Sequence, residues 1–234
     1  MRLCAALGLS FWTIFVLGMG PASAANIALW NFEGSLEADT EHPDLLELAV
    51  GGGFPEYFFD ELEIDGEAAE VAYFARGTYF WVNCLPEPNG GGDYTNQFTL
   101  IMDVMFPDRS PSGGWAALFQ TNDANTNDGD WFVNPDGGVG IAGNYGGSVP
   151  EGEWHRVALV VDLVAQTYTS YVDGVEVQQN AGADYALDGR YSLYTINHAS
   201  PGLWIFADDN GDDAEGYVGS VQFRDVAMAA AELE

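Results

Sequence analysis

The sequence contains no lysine. Its 234 residues carry six basic side chains, all arginine, against 36 carboxylates, for a formal net charge of -30. Without lysine there is no Schiff-base chemistry and no phosphate loop ending in Gly-Lys-Ser/Thr. A field this negative repels phosphate backbones and anionic lipid surfaces, so the sequence excludes nucleic acid as a partner. Disorder is excluded as well. Hydrophobic residues make up 47% and aromatics 14%, whereas acidic disordered chains are poor in both.

Cysteine is nearly absent, with only Cys4 and Cys84. Long apolar runs are also scarce. The one such run, Leu7 to Leu17, follows Arg2 and precedes Ala22-Ser23-Ala24, the small-x-small pattern of a cleaved secretory leader. It falls short of the ~20 residues a spanning helix needs. The expected division is a signal peptide at 1–24 and one domain at 25–234, secreted to an extracellular or periplasmic space, with no membrane insertion after cleavage. Losing Arg2 leaves five Arg against 36 acids, a formal charge of -31. Cys4 leaves with the leader, so Cys84 has no internal partner and is expected as a small buried apolar residue. A domain of this length buries about 70% of its unfolded surface and needs no disulfide. A monomer is the default.

Helical periodicity is missing too. Phe98, Leu100, Met102, Val104 and Phe106 form an apolar face at period two, the mark of a half-buried strand. Trp154–Asp162 and Tyr168–Val172 are strands rich in aromatic and β-branched residues. Asp173-Gly174 between apolar runs signals a hairpin turn. Further strands are expected at 27–32, 70–74, 79–83, 115–121, 138–142, 203–207 and 217–224, separated by glycine-rich breaks. Only Ala227–Leu233 reads as a short helix. About ten short strands with turn signals between them predict an all-β fold: a two-sheet antiparallel jelly-roll β-sandwich with a short C-terminal helix.

The run Glu153-Trp154-His155-Arg156-Val157-Ala158, followed by Tyr171-Val172-Asp173-Gly174-Val175, resembles the strand pair of laminin G-like domains of the concanavalin A-like lectin/glucanase superfamily. Gly216 to Asp225 with Ala229 to Leu233 resembles that family's closing strand and helix, and Ala28 to Glu33 its first strand. The resemblance spans residues 26 to 233. One departure stands out: the usual acidic pair of the closing strand is Gly219-Ser220 here. The resemblance implies the sandwich fold, and a superfamily that includes lectins, adhesion modules and hydrolases.

Three groups of residues bear on chemistry. Glu63, Asp65 and Glu67 share one face if they lie on a single strand, and this resembles the E-x-D-x-E motif of family 16 glycoside hydrolases. Gly66 argues against it, because Asp65-Gly66 is itself a turn dipeptide between the flanks 62–64 and 71–73. No catalytic residue is therefore favoured, and a retaining glycosidase is the alternative. Two acidic loops place oxygens at calcium-like spacing: Asp123, Asn125, Asn127, Asp128 and Asp130, then Asp208, Asn210 and Asp212. Neither is an EF-hand, since Asp128 and Asp213 stand where glycine is required. No cofactor is required, and calcium is the candidate ion. Trp131 and Tyr145, beside acidic or glycine-rich loops, are the candidate sugar-stacking residues. Trp30, Trp81 and Trp154 are expected in the core, and His155 is expected to be structural, while His42 and His198 are scattered. The resulting expectation is a non-catalytic domain that binds a glycan or an extracellular protein surface, with a structural or adhesion module as a further alternative.

Overall fold

Residues that alternate in polarity have one stable solution in water, two pleated layers with their apolar faces together. The computed structural model describes residues 27–40, 48–82, 87–121, 128–193, 203–208 and 211–233. The leader, Cys4, Cys84, His42 and His198 lie outside them.

Among the described residues the strands are β1 (Ile27–Trp30), β2 (Asp39–Thr40), β3 (Ala49–Gly51), β4 (Tyr57–Ile64), β5 (Glu67–Phe74), β6 (Tyr79–Val82), β7 (Gln97–Met105) and β8 (Ala116–Gln120). They continue with β9 (Asp130–Val133), β10 (Val139–Ile141), β11 (Asn144–Gly146), β12 (His155–Asp162), β13 (Thr167–Val172), β14 (Val175–Ala181), β15 (Leu203–Ile205) and β16 (Gly216–Arg224). A nine-stranded sheet runs β14-β13-β12-β7-β16-β1-β2, with the β4–β5 hairpin joined to β16 through β5. A seven-stranded sheet runs β11-β10-β9-β8-β15-β6-β3. Every pairing between named strands is antiparallel. The sandwich expected from the sequence is therefore present.

The apolar face of β7 lines the core: Phe98, Leu100, Met102 and Val104 are fully buried, as are Val157, Leu159 and Val161 of β12 beside it. The opposite layer contributes Phe80, Leu118, Phe119, Trp131 and Ile205, also buried. Phe74 stacks on Phe206 at 4.0 Å and 9°. A polar link crosses the core. Trp131 Nε1 on β9 donates to Ser170 Oγ on β13 (2.9 Å), and Ser170 Oγ donates to Gln178 Oε1 on β14 (2.9 Å).

The C-terminal helix expected from Ala227–Leu233 is only a 3-10 turn, Ala230–Glu232. Helix nucleation is costly, and so short an alanine-rich run gains little from propagation. What holds the segment is packing. Met228 and Leu233 cover Ile101, Ala158, Val160 and Tyr171 on the outer face of the nine-stranded sheet, and Thr99 Oγ1 donates to Val226 O and accepts from Met228 N.

The Ser170→Ala variant leaves Trp131 Nε1 buried without an acceptor. An orphaned buried donor costs about 1–3 kcal/mol. Urea unfolding is expected to show that loss in midpoint with an unchanged slope; an unchanged midpoint would show the bond contributes nothing.

Candidate functional site

The outward face of a sheet in water should be polar, but that of the seven-stranded sheet is aromatic. Strand register sets Ala49, Trp81, Trp204, Gln120 and Asp130 in one row across β3, β6, β15, β8 and β9. Trp81 stacks on Trp204 at 5.1 Å and 8°, and Tyr79 meets Trp204 at 5.3 Å. Opposite Tyr79 stands Gly51, and a Cβ there would lie 2.2 Å from the tyrosine ring, so glycine is what admits it. A second row holds Ala117, Phe132, Gly140 and Tyr145. Trp115 meets Phe132 and Tyr145 edge-on at 6.0 and 5.7 Å.

Between the aromatic groups lies a polar centre. Gln120, almost wholly buried, donates to Asp208 Oδ1 (3.2 Å), and Asp212 N donates to Asp208 Oδ2 (2.7 Å). Tyr79, Trp204, Gln120, Asp208 and Asp213 line a cavity of about 340 Å³. Arg76 closes its rim, 3.6 Å from Asp213 and bonded to the carbonyls of Asp213 and Gly211. Trp204 Nε1 is buried with no hydrogen-bond partner among the described residues.

Described residues flanking the two acidic loops meet here. As carboxylates, Asp128 Oδ2 and Asp130 Oδ1 are buried without a donor. Burial first, then the charge of Asp128 and a hydrogen bond to it, pushes the Asp130 carboxyl up to about 7; Asp208 adds to the rise. Arg190, 3.5 Å from Asp130 Oδ2 and lying over the Tyr191 ring, opposes it. Burial, Asp208 and Asp213 raise Asp212 too, and burial with Asp130 and Asp212 raises the Tyr145 hydroxyl.

The residues expected from sequence fare differently. Trp131 is fully buried and points into the core, so it offers no ligand surface. Tyr145 lies half-buried on the aromatic face. Trp81 and Trp154 are half-buried rather than core, while Trp30 is fully buried. Asp128, Asp130, Asp208 and Asp212 meet at the polar centre, whereas Asp123, Asn125, Asn127 and Asn210 lie outside the described residues. Among the described residues, no set of three or more His, Cys, Asp or Glu side chains is placed to hold a metal ion. Glu63, Asp65 and Glu67 do not share a strand. Asp65 and Gly66, at φ 52° and 85°, form the turn between β4 and β5. Glu63 pairs with Ala68 and Glu67 with Ile64, so the two glutamates sit at neighbouring ladder positions and point to opposite faces. All three carboxylates are exposed.

Sequence reading missed Tyr79, Trp81, Trp204 and Gln120. The usable signal was Tyr79-Phe80-Trp81-Val82, which is apolar on both faces and therefore covered or functional on both.

A laminin G family model, described as Concanavalin A-like lectin/glucanases superfamily, matches residues 80–234. The chain belongs to this superfamily. No curated protein sequence matches it. Among solved structures, this laminin G-like chain is similar to domain 4 of AbnA, a GH43 extracellular arabinanase from Geobacillus stearothermophilus, in complex with arabinotriose. That match has a TM-score of 0.62 and 13% identity, covering 89% of this chain and 97% of that one. It is also similar to Trypanosoma rangeli sialidase in complex with DANA (0.54, 14%, covering 89% and 31%). A third is the receptor binding domain of botulinum neurotoxin D (0.56, 10%, covering 88% and 50%). The chain thus spans about a third of that sialidase and half of that toxin domain. At these identities the likeness is one of fold.

The Asp130 environment makes a signed prediction. An unfolded aspartate titrates near ~3.9. Its folded value is raised, so its contribution is full below the unfolded value and is lost as pH climbs through about 7. The Asp130→Asn variant carries no such loss. Its melting temperature relative to wild type is expected to rise from pH 4 to pH 8; a constant difference would contradict the raised value.

Proposed function

We propose that this domain binds carbohydrate without catalysis, on the outer aromatic face of the seven-stranded sheet. The observation that carries the reading is the placement of Tyr79, Trp81 and Trp204 beside Gln120 and Asp208. Sugar rings present C–H faces that stack on aromatic rings, and hydroxyls that pair with carboxylate and amide groups. A solved relative in complex with arabinotriose and a sialidase with its inhibitor support the class of ligand, though not its identity. A receptor binding domain of the same fold supports the alternative of a protein surface as partner. The exposed, divergent carboxylates of the β4–β5 hairpin speak against hydrolysis at Glu63 and Glu67.

Calcium assistance belongs to this reading. The carboxylates of Asp128 and Asp130, buried beside each other and without a donor when both are ionised, favour it. Export belongs to it too. Expressed with its own leader, the protein is expected exported to an extracellular or periplasmic space with Ala25 at its N-terminus; an intact N-terminus in the cytoplasm would end that part of the proposal.

A glycan array read with calcium and with EDTA tests the whole. Binding to a glycan class is expected, weakened about tenfold by Trp81→Ala, the loss of roughly 1.4 kcal/mol of stacking. Weaker binding in EDTA supports calcium. The Glu63→Gln variant is expected to bind as wild type, with no reducing ends released by either. A blank array alongside capture of an extracellular protein would favour the protein-surface reading, and sugar release abolished by Glu63→Gln would restore the glycosidase.

A further inference from the structure

The nine-stranded sheet carries a cleft on its own outer face, away from the aromatic face described above. β5 pairs with β16 only at Ala72, Tyr73 and Phe74, and β1 takes over the same edge of β16 from Val221 onward. At the change-over β16 bulges, between Val218 and Ser220. The tip of the β4–β5 hairpin there comes against the sheet. Ile64 Cδ1 would lie 2.8 Å from a Cβ on Gly219, and the Trp154 ring 3.7 Å from the same point. The tip, the start of β12 and the Asp173-Gly174 turn enclose a cavity of about 540 Å³.

Its walls are chemically organised. Trp154 is a half-buried aromatic wall. His155 Nδ1 is fixed to Asp173 Oδ2 at 2.9 Å. His155 pairs with the buried Val104, so its ring lies on the other side of β12 from Arg156 and serves to hold Asp173 in place. Arg156 lies flat against Asp103 through two bonds of 2.8 and 2.9 Å, a fork in which Ser220 Oγ also donates to Asp103. Asp65, on the hairpin tip, acts on Arg156 across the cleft.

We propose that this cleft is a second saccharide site, selective for neutral sugars. An aromatic wall, a guanidinium edge and the carboxylates Asp65 and Asp173 supply what one sugar ring needs: a stacking surface with donors and acceptors around it. Acidic sugars are refused, because the one guanidinium is already matched by Asp103 while Asp65 and Asp173 face the same space. The inference extends the carbohydrate reading to a separate surface and stands independently of the first face.

Titration calorimetry on the full chain tests it, with cellohexaose and xylohexaose as neutral probes and a galacturonate hexamer as the acidic one. Two sites per chain are expected for a neutral probe and none at the cleft for the uronate. Trp154→Ala should abolish one site, and Trp81→Ala the other. A single site indifferent to Trp154→Ala overturns the second site and leaves the first. A single site removed by Trp154→Ala and indifferent to Trp81→Ala upholds the cleft and overturns the first face. No heat with either neutral probe overturns both. Thermal melts accompany each variant. Should the Trp154 variant unfold, Asp65→Asn, at an exposed turn position that suits asparagine, is expected to weaken one site about threefold; unchanged binding there would overturn the proposal.

Discussion

The hydrogen bond from Trp131 to Ser170 governs more of this molecule than its length suggests. It joins the two sheets through the core, and it fixes which way β9 faces. Side chains alternate along a strand, so once Trp131 points inward, Asp130 and Phe132 must point outward. The Tyr168 hydroxyl, fully buried, secures the same strand by donating to Asp130 O (2.9 Å). The acidic centre and the Trp115–Phe132–Tyr145 group of the outer face follow from that orientation. So does the weakened acidity of Asp130, which is carried outward only as far as a half-buried position beside Asp128 and Arg190.

Much of the fold was legible because β7, β12, β13 and β16 carry strong period-two patterns of large apolar residues. The strands that escaped notice, β2, β3, β9 and β11, are very short, and their pairing comes from neighbours rather than from propensity; β4 and β14 showed only as arms beside the Asp65-Gly66 and Asp173-Gly174 turns. The site was less legible. Asp130-Trp131-Phe132-Val133 alternates in either register, and nothing local says whether the indole or the phenyl ring goes inside. Tyr79 to Val82 announces two apolar faces but does not name the second. Trp154 looked like strand core and instead precedes β12 at the lip of a cleft.

The departure from the family pattern at Gly219-Ser220 has a structural reason. Gly219 leaves the space into which Ile64 leans, and Ser220 holds the carboxylate that braces Arg156. An acidic pair there would crowd the hairpin tip and add charge beside Asp103. The abundance of carboxylates has a similar logic. Several act as acceptors in the frame: Asp188 takes bonds from Asp93 N, Tyr94 N and Asn96 Nδ2, and Asp173 takes them from Arg156 N and His155. With so few cations available, backbone amides do the neutralising.

The antiparallel pairing of β1 with β16 brings Ile27 level with Arg224. The beginning and the end of the described fold are thus side by side in the interior of one sheet. A pull applied to those two ends would load the ladder at one rung and open its bonds in sequence, like a seam, instead of shearing them together. Such a domain yields at modest force when stretched through its ends. A load applied across a sheet face is resisted better, because it is spread over many strands at once.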